Sequence, residues 1–305
     1  MGRKLAMSFV TYNRAKHIQE DLEQIAAPAR EKGIDIYIFD GSTNRQTEKV
    51  VNFYVEKGYD HIHYLRYENE RQRLKDALLL PDAEYIWLCG DKFVILPQNY
   101  DTVLTCAEEG FDVITMYGHP LTDTRCFDDP VKYVEYSIIP FTHYGASVIK
   151  KDLIKSFDIV RLTKEFPEYW KMLLYIKAID KEDFKGITIC LPKKDLSIQS
   201  RFHTRSSSES RMWEIWIEDW YHTIMSFPER YRGIEETLLN RPDRDMHFFC
   251  MKALIRQRAE GQFDFKTCME YKNYIPKVIV LPRAAVFAVS LIPQNIARSI
   301  SVVFG

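Results

Sequence analysis

The first 116 residues switch repeatedly between two periodicities, and that alternation constrains the fold more than any other feature of the chain. Apolar runs of strand length stand at 4–12 (KLAMSFVTY), 34–40 (IDIYIFD), 61–67 (HIHYLRY), 84–90 (EYIWLCG) and 111–117 (FDVITMY). Between them lie segments of helical pattern at 15–33, 44–58, near 70–80 and near 98–109. Gly33 and Gly58 close the first two, as glycine does where a helix ends in a left-handed residue. Near-continuous apolar strands separated by helices indicate a parallel sheet covered on both faces. The expected class is therefore α/β.

The alternation stops after residue 118. The stretch 118–142 is rich in turns and charges and reads as a loop-like insertion. A strand and a helix return over 142–157, an amphipathic helix over 166–180 and a strand over 186–192. From about 208 the pattern is helical, with Trp213, Trp216 and Trp220 spaced as the buried stripe of one helix. With 305 residues, the expected organisation is one core domain over 1–205, in halves 1–117 and 118–205, and a helical region over 206–305.

A net charge of -1 argues against a nucleic-acid binder, which needs a clustered basic excess to neutralise phosphates, and leaves room only for a local basic patch. The six cysteines form no C-x-x-C pair and no zinc-spaced group, which favours a reducing cytoplasmic compartment. The N-terminal apolar run is too short for a signal peptide, and no run is long enough to span a bilayer. The nearest approach, 276–305, is broken by Pro282, Arg283 and Pro293. It suits a segment that lies on the cytosolic face of a membrane, or a contact in a homo-oligomer.

In open α/β sheets ligands gather at the carboxyl ends of the strands. Those ends read Thr11-Tyr12-Asn13-Arg14, Asp40-Gly41-Ser42-Thr43 and Gly90-Asp91-Lys92. The first turn has no glycine, which counts against a dinucleotide-binding enzyme, and no P-loop pattern occurs anywhere. Asp40 and Asp91, taken singly, are equally consistent with ordinary turn formers.

Taken in order, "SFVTYNRAKHIQEDLEQI", "IYIFDGSTNRQTEKVV" and "YIWLCGD" resemble the nucleotide-sugar half of a family 2 glycosyltransferase with the GT-A fold, over roughly residues 4–155. The resemblance implies a Rossmann-like nucleotide-sugar-binding core that moves a sugar from a nucleoside diphosphate, a UDP-sugar being the expected donor, usually with inversion. Acceptors implied are glycans, lipid-linked glycans or glycoproteins of bacterial surface-polysaccharide synthesis. Thr11, Tyr12 and Asn13 match the nucleotide loop, Asp40 the carboxylate that receives base or ribose, Ser42 the serine of the D-x-S turn, and Arg73 the arginine facing the diphosphate. Asp91 matches the first acid of a metal motif whose later acids are replaced here by Lys92 and Phe93. Asp91, with His203 as a second ligand, would hold Mn2+ or Mg2+, and Lys92 is an alternative source of positive charge. The base that deprotonates the acceptor is expected to be Glu168, ahead of Asp219. The alternatives are a non-catalytic GT-A binding or scaffolding protein and a sugar nucleotidyltransferase.

Overall fold

The computed structural model describes residues 2–90, 94–118, 121–192, 196–197 and 211–304. The chain divides into two compact units, Met1–His203 and Thr204–Gly305. In the first, the sequence alternation becomes β1 (Arg3–Thr11), α1 (Ala15–Glu31), β2 (Asp35–Asp40), α2 (Gln46–Glu56), β3 (Ile62–Arg66), α3 (Glu70–Leu79) and β4 (Ala83–Gly90). After the short β5 (Val94–Ile95) come α4 (Tyr100–Glu108), β6 (Val113–Tyr117), β7 (Arg125–Phe127), α5 (Pro130–Thr142), β8 (Ser147–Lys150), α6 (Ile159–Glu165), α7 (Trp170–Ala178), β9 (Gly186–Cys190) and β10 (Leu196–Ser197).

The apolar runs set these elements. Ile18, Leu22, Ile25, Ala26 and Ala29 recur along one face of α1 and are buried against strands whose own Leu5, Met7, Ile36 and Ile38 are inaccessible. Each such Leu or Ile contributes about 1.5–3 kcal/mol when fully buried. Asn69 and Asp158 cap α3 and α6, accepting from the backbone N–H of Gln72 and Arg161 at 3.1 and 3.0 Å.

The eight-stranded sheet runs β3-β2-β1-β4-β8-β6-β9-β7. It is mixed rather than wholly parallel: β3, β2, β1 and β4 are parallel, and β8 enters antiparallel between β4 and β6. Two consequences position the site. Chain order reverses at β1, with β2 on one side and β4 on the other, which opens a crevice at the carboxyl ends of β1 and β4. Because β8 is antiparallel, the residues leading into it meet the end of β4.

The 118–142 stretch is not an open loop. Asp129 accepts from the Val131 N–H at 2.9 Å, Pro130 starts α5, and Tyr133, Val134, Ile138, Ile139 and Phe141 are buried. The 166–180 segment is not amphipathic over its helical length: every residue of α7 from Trp170 to Ile176 is buried.

The elements described in the second unit are all helical. A π-helical turn (Glu214–Asp219) leads into α8 (Trp220–Ile224), followed by α9 (Glu235–Leu239), α10 (Arg241–Met246), α11 (Met251–Glu260), α12 (Phe265–Glu270), α13 (Ile275–Val278), α14 (Arg283–Ser290) and α15 (Gln294–Phe304). The tryptophan stripe divides. Trp213 stacks on Phe263 at 4.6 Å and donates to Gln257 Oε1 at 3.0 Å, and Trp220 donates to the Leu238 and Leu239 carbonyls. Both are core, whereas Trp216 is half-buried against Phe248.

Candidate active site

The expected residues Thr11, Asn13, Asp40, Ser42 and Arg73 form one connected cluster at the ends of β1 and β2. Thr11 and Asp40 are register partners. Beyond Thr11 the chain turns through Asn13 at φ 55°, a left-handed conformation that asparagine tolerates better than most residues. Its side chain keeps it there: Asn13 Oδ1 accepts from the Thr43 N–H at 3.0 Å, the Thr43 hydroxyl at 3.1 Å and Asn44 Nδ2 at 3.3 Å. The Asn13 N–H donates to Ser42 Oγ at 2.8 Å. Two loops are thus tied together before any ligand arrives.

Asp40 lies beneath this knot rather than on its surface. It is fully buried, and its Oδ1 accepts from the Ser42 N–H at 2.9 Å and from the Ser42 hydroxyl. Its Oδ2 accepts from Tyr64 at 2.8 Å. Burial, then that hydrogen bond to the carboxylate, pushes the Tyr64 hydroxyl up to about 12. Expected to receive base or ribose, Asp40 instead spends both oxygens organising the loop.

Arg73 is also turned inward. It is 7% exposed, and its Nη1 donates to the Thr11 carbonyl at 2.6 Å. Gly41 makes room for it: a Cβ there would stand 2.0 Å from Arg73 Nη1. Rather than facing the crevice, the guanidinium braces Thr11 and Gly41 from behind, with Glu70 at 3.8 Å from Nη2. Arg66 completes the brace, donating to the Ser42 and Asn44 carbonyls at 3.0 Å each. Tyr12 projects from the loop, 54% exposed.

On the other side of the crevice, Gly90 ends β4 against Tyr144; a Cβ at Gly90 would stand 3.0 Å from Tyr144 Cβ. The segment before β8 is fixed there by Gly145, which donates its N–H to the Leu88 carbonyl at 2.7 Å and accepts from Trp87 Nε1 at 2.7 Å. Trp170, at the start of α7, donates to the Tyr144 hydroxyl at 3.2 Å. Burial raises the pKa of that hydroxyl, and the charges of Glu70, Arg73 and Glu168 all reach it. Tyr144 thus lies within electrostatic reach of Arg73 from α3 and of the expected base Glu168, which is exposed just before α7. Glu165, the neighbouring acid, pairs with Arg161 at 2.7 Å.

Beneath this wall, Lys171 is 4% exposed, donates to the His143 carbonyl and has no carboxylate at salt-bridge distance among the described residues. Its ammonium lies over the Tyr144 and Tyr175 rings at 5.2 and 5.7 Å. Burial brings its pKa down to about 7. Half-buried His143, its Nε2 3.2 Å from the Tyr117 hydroxyl, is likewise pushed down to about 4 by burial.

Asp91, Lys92 and His203 lie outside the described residues. Among the described residues no group of three or more His, Cys, Asp and Glu is arranged to hold a metal ion. Asp219, the second expected base, is a half-buried residue of the π-helical turn in the other unit, and its carbonyl accepts from Thr223 at 2.7 Å. Sequence reasoning missed Tyr64, Arg66, Trp170 and Lys171. Tyr64 and Arg66 left a trace, as polar groups two apart near the end of an apolar strand.

No family model and no curated protein matches the chain. Solved structures do. The crystal structure of S. aureus TarS 1-349 in complex with UDP-GlcNAc superposes with a TM-score of 0.55 at 13% identity, covering 99% of this chain and 91% of that one. The mannosyltransferase PcManGT from Pyrobaculum calidifontis, in complex with GDP-Man and Mn2+, gives 0.55 at 12% identity, covering 100% and 88%. The fold of this chain is GT-A.

Proposed function

We propose that the chain is a glycosyltransferase that moves a sugar from a nucleoside diphosphate to a hydroxyl acceptor with inversion. The observation that carries this reading is the pre-tied knot of Thr11, Asn13, Asp40, Ser42 and Arg73, set at the switch point of a GT-A sheet and facing Gly90 and Tyr144. Tyr12 and the loop backbone hold the nucleotide; Asp40 and Arg73 keep that loop in shape without the ordering cost that a flexible loop meets on binding. In the reaction, Glu168 takes the proton of the acceptor hydroxyl, whose oxygen bonds to the anomeric carbon as the bond to the diphosphate breaks. The nucleoside diphosphate leaves with the electron pair. A divalent cation held by Asp91 and His203 would neutralise that diphosphate, or Lys92 would supply part of that positive charge in its place.

The donor is a UDP-sugar; TarS was crystallised with UDP and with UDP-GlcNAc. The acceptor is a glycan, lipid-linked glycan or glycoprotein of bacterial surface-polysaccharide synthesis, met at the cytosolic face of a membrane to which the chain attaches peripherally. Calorimetric titration with UDP- and GDP-sugars, with and without Mn2+, tests this reading. Binding of at least one is expected, and binding of none under either condition removes it. Glu168→Gln should then abolish transfer while sparing donor binding; full loss in Asp219→Asn with activity kept in Glu168→Gln moves the base to Asp219. Donor binding without turnover under any condition favours a non-catalytic binding protein.

A further inference from the structure

We propose that the exposed face of α14 and α15, extended by α12, docks on the surface of an anionic lipid bilayer. The inference rests on the reading above that the chain works at a membrane, and names the surface and the lipid chemistry. Arg283–Ser290 and Gln294–Val302 together are long and apolar enough for a membrane span, but they meet at 108°. The bend is fastened to α11. Arg258 Nε donates to the Ile292 carbonyl at 2.7 Å, and Gln294 Nε2 and Arg298 Nε both donate to the Ala259 carbonyl at 3.1 Å. A pair held this way lies along its unit instead of crossing a bilayer.

Each helix buries one side and exposes the other. Val286, Val289 and Ala297 are buried, whereas Phe287 is 40%, Leu291 55%, Ile296 47% and Val302 80% exposed. Phe287 and Leu291 are one turn apart, so they share a face. The patch continues onto α12, where exposed Phe265 meets Phe287 edge-on at 5.7 Å and Met269 follows one turn later. Exposed large apolar groups gathered in this way mark an interaction surface.

Charge selects the occupant. All 43 acidic residues of the chain precede Tyr271, and beyond it stand Lys272, Lys277, Arg283 and Arg298 with no acid among them. Exposed apolar side chains on helices with an excess of cations, Lys266, Arg283 and Arg298 against the single acid Glu270, match the interface of an anionic bilayer, where acyl chains take up the former and headgroups pair with the latter. A second copy seated on the same face would bring like charges together.

Co-sedimentation of the full chain with vesicles tests the proposal, using phosphatidylcholine alone and phosphatidylcholine mixed with phosphatidylglycerol. Binding to the mixed vesicles only, weakened by added salt, is expected. F287Q/L291Q should reduce it about tenfold or more, and Arg283→Gln about fivefold, the size of one basic residue at an anionic surface. Should the double variant melt at a lower temperature, the exposed Arg283→Gln carries the comparison. Equal binding to both vesicles overturns the anionic-lipid assignment but leaves the membrane reading standing, whereas binding to neither overturns both. A dimer lost in F287Q/L291Q, with no vesicle binding, gives the face to a second copy. Nucleotide-sugar binding by the same preparations separates failure of this surface from failure of the enzyme reading.

Discussion

The two sides of the crevice are built on different principles. The side proposed to hold the nucleotide, from β1, β2 and α3, is a mesh of short polar contacts in which Asn13, Asp40, Ser42 and Arg73 each satisfy backbone or side-chain partners in neighbouring loops. The opposite side, from the approach to β8 and the start of α7, is aromatic, with Tyr144 and Trp170 in contact and one buried ammonium beneath them. On the first side polar groups are paired, the buried Arg73 Nε apart, and their geometry is over-determined. On the second, a charge is kept out of water by rings and a single carbonyl. The first side is built to hold one shape, and the second is sensitive to pH.

The largest expected effect tests the over-determination. Gly41→Ala places a methyl 2.0 Å from Arg73 Nη1, so the guanidinium must leave the Thr11 carbonyl. Leaving that charged hydrogen bond unmet should cost about 2–3 kcal/mol in urea unfolding. Arg73→Met removes the same contact, so the double variant should lose clearly less than the sum of the two single losses. Full additivity would mean that Gly41 and Arg73 act independently and that the brace is not a unit.

The second effect runs in the opposite direction. Lys171 has a folded pKa of about 7 against an ordinary 10.5, lowered by burial. Between those values the unfolded chain holds a proton that the folded chain has released, so stability should rise with pH across about 7 to 10.5. Below pH 7 the buried charge is at its most costly, and Lys171→Met should stabilise the fold there by about 1–2 kcal/mol. The same variant should flatten the rise above pH 7. His143, held near 4 chiefly by burial and in part by the Lys171 charge, adds a loss of stability as pH falls from 6.5 towards 4, which Lys171→Met should diminish but not remove. Destabilisation by Lys171→Met at pH 6 would show that the ammonium's bond to the His143 carbonyl outweighs its burial.

The same contrast explains what was legible in the sequence. Strands β1 to β4 announce themselves because each is a local apolar run, and the strand-end residues Thr11, Asn13, Asp40 and Ser42 converge because parallel strands place their carboxyl ends together. Their orientation was not legible. That Asp40 and Arg73 point inward depends on Tyr64 and on the missing side chain at Gly41, both contacts between distant segments. The second side was harder still. The antiparallel entry of β8 between β4 and β6 leaves no local signature, so the closeness of Tyr144 to Gly90 could not be read. Lys171 looked like the polar residue of an amphipathic helix, because one cation among apolar neighbours does not reveal whether it faces water. Helix α5 was hidden by the turn residues that precede it, Asp128, Asp129 and Pro130, although the last two are its cap and first turn.

The smallest effects separate scaffold from ligand contact on the nucleotide side. Tyr64→Phe removes one of the hydrogen bonds to Asp40 and should cost about 1 kcal/mol of stability, with a modest weakening of donor binding through a looser loop. Tyr12 is exposed, and Tyr12→Ser should move stability by less than about 0.5 kcal/mol. Under the proposed function its effect should appear in nucleotide-sugar titration as a weaker Kd, because a ring projecting from a fixed loop is free to stack on a base or sugar. The two variants therefore sort in opposite orders, Tyr64→Phe being worse for folding and Tyr12→Ser worse for binding. If Tyr12→Ser leaves both the melting temperature and the Kd unchanged, the pre-tied loop presents its backbone alone to the nucleotide.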